Sequence, residues 1–137
     1  MTRSAAQPLW MFEFGEEYDV PPAIIDSLLA DVSWHNDSCP SFRMEFRMDP
    51  ASGDDHDLRL WVGHPDADQR DMAERFVVNY QPWSNAPVPG VTVCDDGDVY
   101  AGDDPEAALK AYGVAAELVT AELDRRADVV RQEDQAW

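Results

Sequence analysis

A chain of 137 residues, 45% of them hydrophobic and 10% aromatic, is long enough to bury a core without disulfides or a structural metal. It reads as a single domain over 1–137, with about seven residues frayed at the N-terminus and about eight at the C-terminus. Its 28 acidic side chains against 10 basic ones give a formal charge of −18, which repels nucleic acid and anionic membranes and excludes the usual basic kind of nucleic-acid binder.

In chain order, MTRSAAQPLWMFEFGEE holds one Arg and soon turns acidic, unlike a secretory signal. Within it, LWMFEF reads as an edge strand. VPPAIIDSLLADVSW, residues 20–34, places Ile24, Ile25, Leu28, Leu29 and Val32 on one helical face. Asp19 precedes it, and Pro21 and Pro22 suit a first turn. SWHNDSCPSF, residues 33–42, then reads as the exit from that helix. Asn36, Asp37 and Ser38 form turns, Pro40 blocks further helix, Trp34 anchors in the core and Cys39 fills it.

The period next switches to two. In SFRMEFRM, Phe42, Met44, Phe46 and Met48 face one way and Arg43, Glu45 and Arg47 the other. DLRLWV points Leu58, Leu60 and Val62 inward, and RFVVNY does the same with Phe76, Val78 and Tyr80. VTVCDDGDVY reads as a hairpin turning at Asp96-Gly97. A last helix starts at Asp104-Pro105-Glu106, a cap, a first-turn proline and an acid at the positive end of the dipole. Its apolar set is Ala108, Leu109, Tyr112, Ala115, Ala116, Val119 and Leu123, and the more polar stretch after Leu123 is expected to fray before Trp137. The fold class is therefore α+β: an antiparallel sheet of about four to five strands, with two helices, one near the N-terminus and one C-terminal, packed on one face.

The opposite sheet face would carry Arg43, Glu45, Arg47, Arg59 and Trp61, joined by Arg75, Val77 and Asn79. Cross-strand pairing of these guanidiniums with Glu45 and loop carboxylates is the plain reading. A patch for an anionic ligand or a partner is the sharper one.

Motif chemistry is sparse. His35 and Cys39 form a nucleophile–base pair only on paper, without an oxyanion loop. The zinc donors Cys39, Cys94, His35, His56 and His64 lack the close pairs such sites use. The acidic turns at 53–57, 94–98 and 101–104 lack the calcium-loop pattern. No phosphate-binding loop, dinucleotide fingerprint or hydrolase elbow occurs. The expectation is a non-enzymatic protein with no cofactor and no metal. Two cysteines define no disulfide framework, and reduced thiols in a cytoplasmic protein are the plainer reading.

Asp outnumbers Glu 19 to 9, and Arg outnumbers Lys 9 to 1. This composition suits an acidic binding protein whose partner has a basic surface, and an ordinary acidic chain from a GC-rich genome. In its sharper form the first reading is nucleic-acid mimicry, as in inhibitors of nucleic-acid enzymes carried by phages and mobile elements. Asp54, Asp55, Asp57, Asp95, Asp96, Asp98, Asp103 and Asp104 would then stand in for phosphates. One alternative is a small-ligand or peptide-binding domain using Arg43, Arg47, Arg59 and Trp61. Another is a salt-adapted protein whose acidity has no partner.

Overall fold

The computed structural model describes residues 7–46, 48–53, 55–70, 72–82, 88–91 and 98–135. Along them run α1 (Leu9–Phe14), α2 (Pro22–Ile25), β1 (Ala30–Asp31), β2 (Ser41–Arg43), β3 (His56–Val62), β4 (Phe76–Pro82), β5 (Asp98–Gly102) and α3 (Pro105–Gln135). The strands form one sheet in the order β1-β2-β3-β4-β5, each neighbour antiparallel. None of the described helices is long and apolar enough to cross a membrane.

The sheet centre follows the residue pattern directly. Leu58, Leu60 and Val62 of β3 alternate with half-exposed neighbours, so one face of the strand is dry. Leu58 pairs with Tyr80, Leu60 with Val78 and Val62 with Phe76, so β4 adds its own apolar row beside them. Over this floor lies α3. Asp104 caps it by accepting the Glu106 amide at 3.0 Å, Pro105 occupies its first turn and Glu106 favours the positive end of its dipole. Ala108, Tyr112, Ala115, Ala116, Val119 and Leu123 are its buried stripe. Tyr112 ties helix to sheet: its hydroxyl donates to the Leu58 carbonyl at 2.7 Å and accepts the Met44 amide at 2.8 Å. Burial pushes this phenol up to about 12, and it therefore stays protonated as a donor.

The N-terminal third departs from its apolar spacing. The helix expected over 20–34 is one turn, Pro22–Ile25. Ser27 is the reason: its hydroxyl donates to the Ile24 carbonyl at 2.6 Å and accepts the Leu29 amide at 3.3 Å, displacing the helical ladder. The chain then turns extended, and Ala30 and Asp31 pair with Arg43 and Phe42. Leu28, assigned to the buried face by periodicity, is 96% exposed. The sheet is thus covered by one long helix rather than two. Trp10, Val20 and Ile24 from the short N-terminal pieces complete the same core.

Three further expectations change. LWMFEF is the helix α1, started by the Pro8 carbonyl accepting the Met11 and Phe12 amides and ended at Gly15, whose φ of +100° suits glycine. The strand expected over 41–48 stops at Arg43, because the Met44 amide goes to Tyr112 rather than to a neighbouring strand. Met44 and Met48 are exposed in consequence. At the other end of the chain α3 runs to Gln135, through most of the roughly eight C-terminal residues expected to fray. The hairpin turn expected at Asp96-Gly97 lies outside the described residues.

Candidate binding groove on the open sheet face

The face of the sheet turned away from α3 carries Asp57, Arg59 and Trp61 from β3 and Val77, Asn79 and Gln81 from β4. Strict alternation along two strands in register makes this inevitable once the Leu and Val row is buried. From β5, Ala101 sits opposite Val77 and Asp98 opposite Asn79 across an irregularity in the ladder at Val78/Asn79. Two segments rise over this floor, 36–39 ahead of β2 and 72–74 ahead of β4. Between them lies a groove of about 630 Å³.

The groove's lining is acidic, with arginines meeting two of its carboxylates. Asp37, Asp57, Glu74 and Asp98 line it, and among its described lining residues there is no Lys, Arg or His. Trp61, Val77 and Ala101 supply apolar floor, and Asn36, Asn79 and Gln81 supply amides. The nearest cations are at its margin and already engaged. Arg43 and Arg59 both reach Asp57, at 3.3 Å each, and the Arg59 guanidinium lies over the Trp61 ring, 5.2 Å from its centre. Arg59 also comes within 3.9 Å of Asp37, a distance at which Coulomb attraction acts without a hydrogen bond.

That arrangement decides the fate of the arginine patch. Arg43, Arg59 and Trp61 do share a neighbourhood, but the two guanidiniums converge on one carboxylate instead of facing solvent. Arg47 lies outside the described residues. Arg75 leaves the face altogether: its side chain donates to the carbonyls of Tyr18, Asp19 and Gly63. Burial lowers its pKa, partly offset by Asp19.

The acidic turns are divided. Asp55 and Asp57 lie at the end of the sheet where β3 starts, and Asp98 lies there at the start of β5. Asp103 and Asp104 are at the opposite end. There Asp103 accepts the Arg75 amide at 3.1 Å, while Asp104 is the α3 cap. Asp98 accepts from the Asn79 amide at 3.1 Å. Asp54, Asp95 and Asp96 lie outside the described residues.

In SWHNDSCPSF the turn is real, but it joins β1 to β2 rather than ending a helix. His35 meets Glu13 at 2.8 Å, Cys39 is buried against the groove, and Trp34, expected in the core, is 52% exposed. Among the described residues no three His, Cys, Asp or Glu side chains are grouped to hold a metal.

A second polar assembly has no counterpart in the sequence reading. Asp49, 1% exposed, follows the two methionines of a segment expected to be strand. Its carboxylate accepts from Arg126 of α3 at 2.5 Å and from the Ala51 amide at 2.9 Å, and it meets His56 Nε2 at 3.2 Å. The other ring nitrogen of His56 is 2.7 Å from the Tyr80 hydroxyl, which accepts the Val88 amide at 2.9 Å. Burial alone would raise the Asp49 carboxyl, but the Ala51 amide, Arg126 and His56 outweigh it and hold the group below the usual carboxylate value. These contacts join the 49–53 turn to β3, β4 and α3, and the His56 ring is fully buried. The assembly braces the sheet, the 49–53 turn and α3 together. A buried ion pair leaves no periodic signal, so only the chance proximity of residues 49, 56, 80 and 126 in the fold reveals it.

Comparison with protein-family models, with curated proteins and with solved structures gives no match, and the chemistry of the groove rests on its own residues.

Proposed function

We propose that the protein is a non-enzymatic acidic binding protein whose partner is a protein with a basic surface. The observation that carries this reading is the open-face groove, with Asp37, Asp57, Glu74 and Asp98 on its lining and no cation among its described lining residues. A formal charge of −18 adds long-range attraction for the same class of partner and raises the rate of encounter. Nucleic-acid mimicry is the sharper form, with a nucleic-acid-binding enzyme as partner. Its support is charge density rather than the acidic turns as a set, since Asp57 and Asp98 lie at one end of the sheet and Asp103 and Asp104 at the other. An anionic ligand on Arg43, Arg59 and Trp61 draws less support, because both guanidiniums are turned onto Asp57.

The test is affinity capture from a nuclease-treated lysate, followed by low-salt and then high-salt washes. A basic protein that is retained at low salt, released at high salt and then rebinds when purified is the expected result. Displacement of that protein by duplex DNA would favour the mimicry form. A purified partner that is acidic, or whose binding ignores salt, would overturn the proposal.

A further inference from the structure

We infer that a second surface, an apolar groove at the β1 edge of the sheet, takes a basic amphipathic helix of the partner. The inference rests on the reading that the partner is basic and adds a contact surface distinct from the open-face groove.

The helix expected over 20–34 stops at Ile25, and two apolar side chains assigned to its buried face are left at the surface. Ile25 is 46% exposed and Leu28 96%. Beside them, between α1, α2 and β1, lies a groove of about 360 Å³. Buried Trp10 and Phe42 and part-exposed Leu9, Ile25 and Leu29 line it, and Asp31 is the one charged residue among its described lining residues. The fold thus leaves an apolar patch and an apolar groove side by side and uncovered, the surface pattern of a docking site.

The surroundings set the charge of the occupant. Residues 4–42 hold no Lys or Arg. Exposed Asp26 follows Ile25, Asp31 lines the groove, and Glu13 stands one turn along α1 from Leu9. Arg43, opposite Ala30 in the ladder, reaches Asp57 on the other face of the sheet. A segment with Lys or Arg beside its apolar residues therefore meets complementary charge. An acidic segment, a second copy of this −18 chain included, meets repulsion.

The short edge sets the occupant's conformation. β1 is two residues long, so a partner strand paired along it would gain few main-chain hydrogen bonds. Side chains must carry the affinity instead, and a helix gathers its apolar residues at i, i+3, i+4 and i+7 onto one face.

The experiment uses the full chain and two synthetic lysine-rich helical peptides of equal length and charge. One carries leucines along a single face; the other has alanines in their place, which keep the helix. Affinities are measured by fluorescence anisotropy at modest and at high salt, for the native protein and for a double variant, Ile25→Ser with Leu28→Ser. The native protein should bind the leucine peptide about tenfold more tightly than the alanine peptide at both salt levels, and the variant should lose that preference. An unchanged melting temperature and circular dichroism spectrum would show that the variant is folded. Leu28→Ser alone changes a side chain almost wholly in solvent and should lose part of the preference. Equal affinities of the native protein for the two peptides, or the full preference kept in the double variant, would overturn the inference. A salt-promoted dimer in sedimentation, abolished in the double variant, would assign the groove to a second copy and overturn it too. A salt-released basic partner captured equally by native protein and variant would overturn it while leaving the broader reading intact. Silence of both peptides together with no salt-sensitive basic partner would overturn both.

Discussion

The two faces of the central strands are built by the same alternation and end in opposite states. Toward α3, Leu58, Leu60, Val62, Phe76, Val78 and Tyr80 are dry and make one cluster with the helix stripe. Toward solvent, Asp57 pairs with Arg59, whose guanidinium lies over Trp61, Asn79 donates to Asp98, and Gln81 is exposed. The covered face stabilises through area removed from water, roughly 25 cal/mol per Å². The open face contributes little, because a partly exposed ion pair is worth about 0–1 kcal/mol. A protein of charge −18 thus concentrates its stability on one side of the sheet.

The largest test of this division is an exception to it. Asp49 is a charge on the covered side, held by Arg126 and His56. Removing it in Asp49→Ala takes a buried carboxylate from His56 and from Arg126, which still reaches Glu122 at 3.4 Å, and should cost about 3 kcal/mol in urea unfolding. The same carboxylate sets a pH dependence. Its folded pKa lies below its unfolded value, about 3.9, so its contribution is complete above that value and declines as pH falls through the folded one. Acid unfolding of an Asp49→Asn variant should lose this dependence, and an acid transition identical to the native protein's would contradict it.

Leu60→Ala probes the ordinary covered face. With no exposure to solvent it should cost about 3 kcal/mol, read as a lower urea midpoint at unchanged slope. Tyr112→Phe removes the link between the faces of helix and sheet without changing volume. It leaves the Leu58 carbonyl and Met44 amide without their partner and should cost about 1–3 kcal/mol. On the open face, Arg59→Gln should cost no more than about 1 kcal/mol in stability. A loss there as large as that of Leu60→Ala would break the comparison, since the open face would then be structural.

How much of this was legible depended on whether a residue's role is local. The inward rows of β3 and β4 could be read because period-two burial is a property of the strand itself. Asp104, Pro105 and Glu106 announced the start of α3 for the same reason. Ile24 to Val32 misled because the spacing is helical while Ser27 and the pairing of Ala30 and Asp31 with β2 favour extension. The groove was half visible: Arg43, Arg59 and Trp61 were placed on one face correctly, but the carboxylates that reverse its charge come from other segments. Asp37 arrives from a turn, Glu74 from a loop and Asp98 from the next strand over.

By itself the sequence determined the antiparallel sheet, the long C-terminal helix with its buried stripe, and the acidity, because periodicity, capping and charge count are carried by neighbouring residues. Tertiary structure alone decided that one long helix covers the sheet, that Asp49, His56, Tyr80 and Arg126 meet in its interior, and that the arginines of the open face turn inward onto Asp57. Those outcomes join residues far apart in the chain, where the gain from a distant partner outweighs the local preference, and no short stretch of sequence holds both sides of that balance.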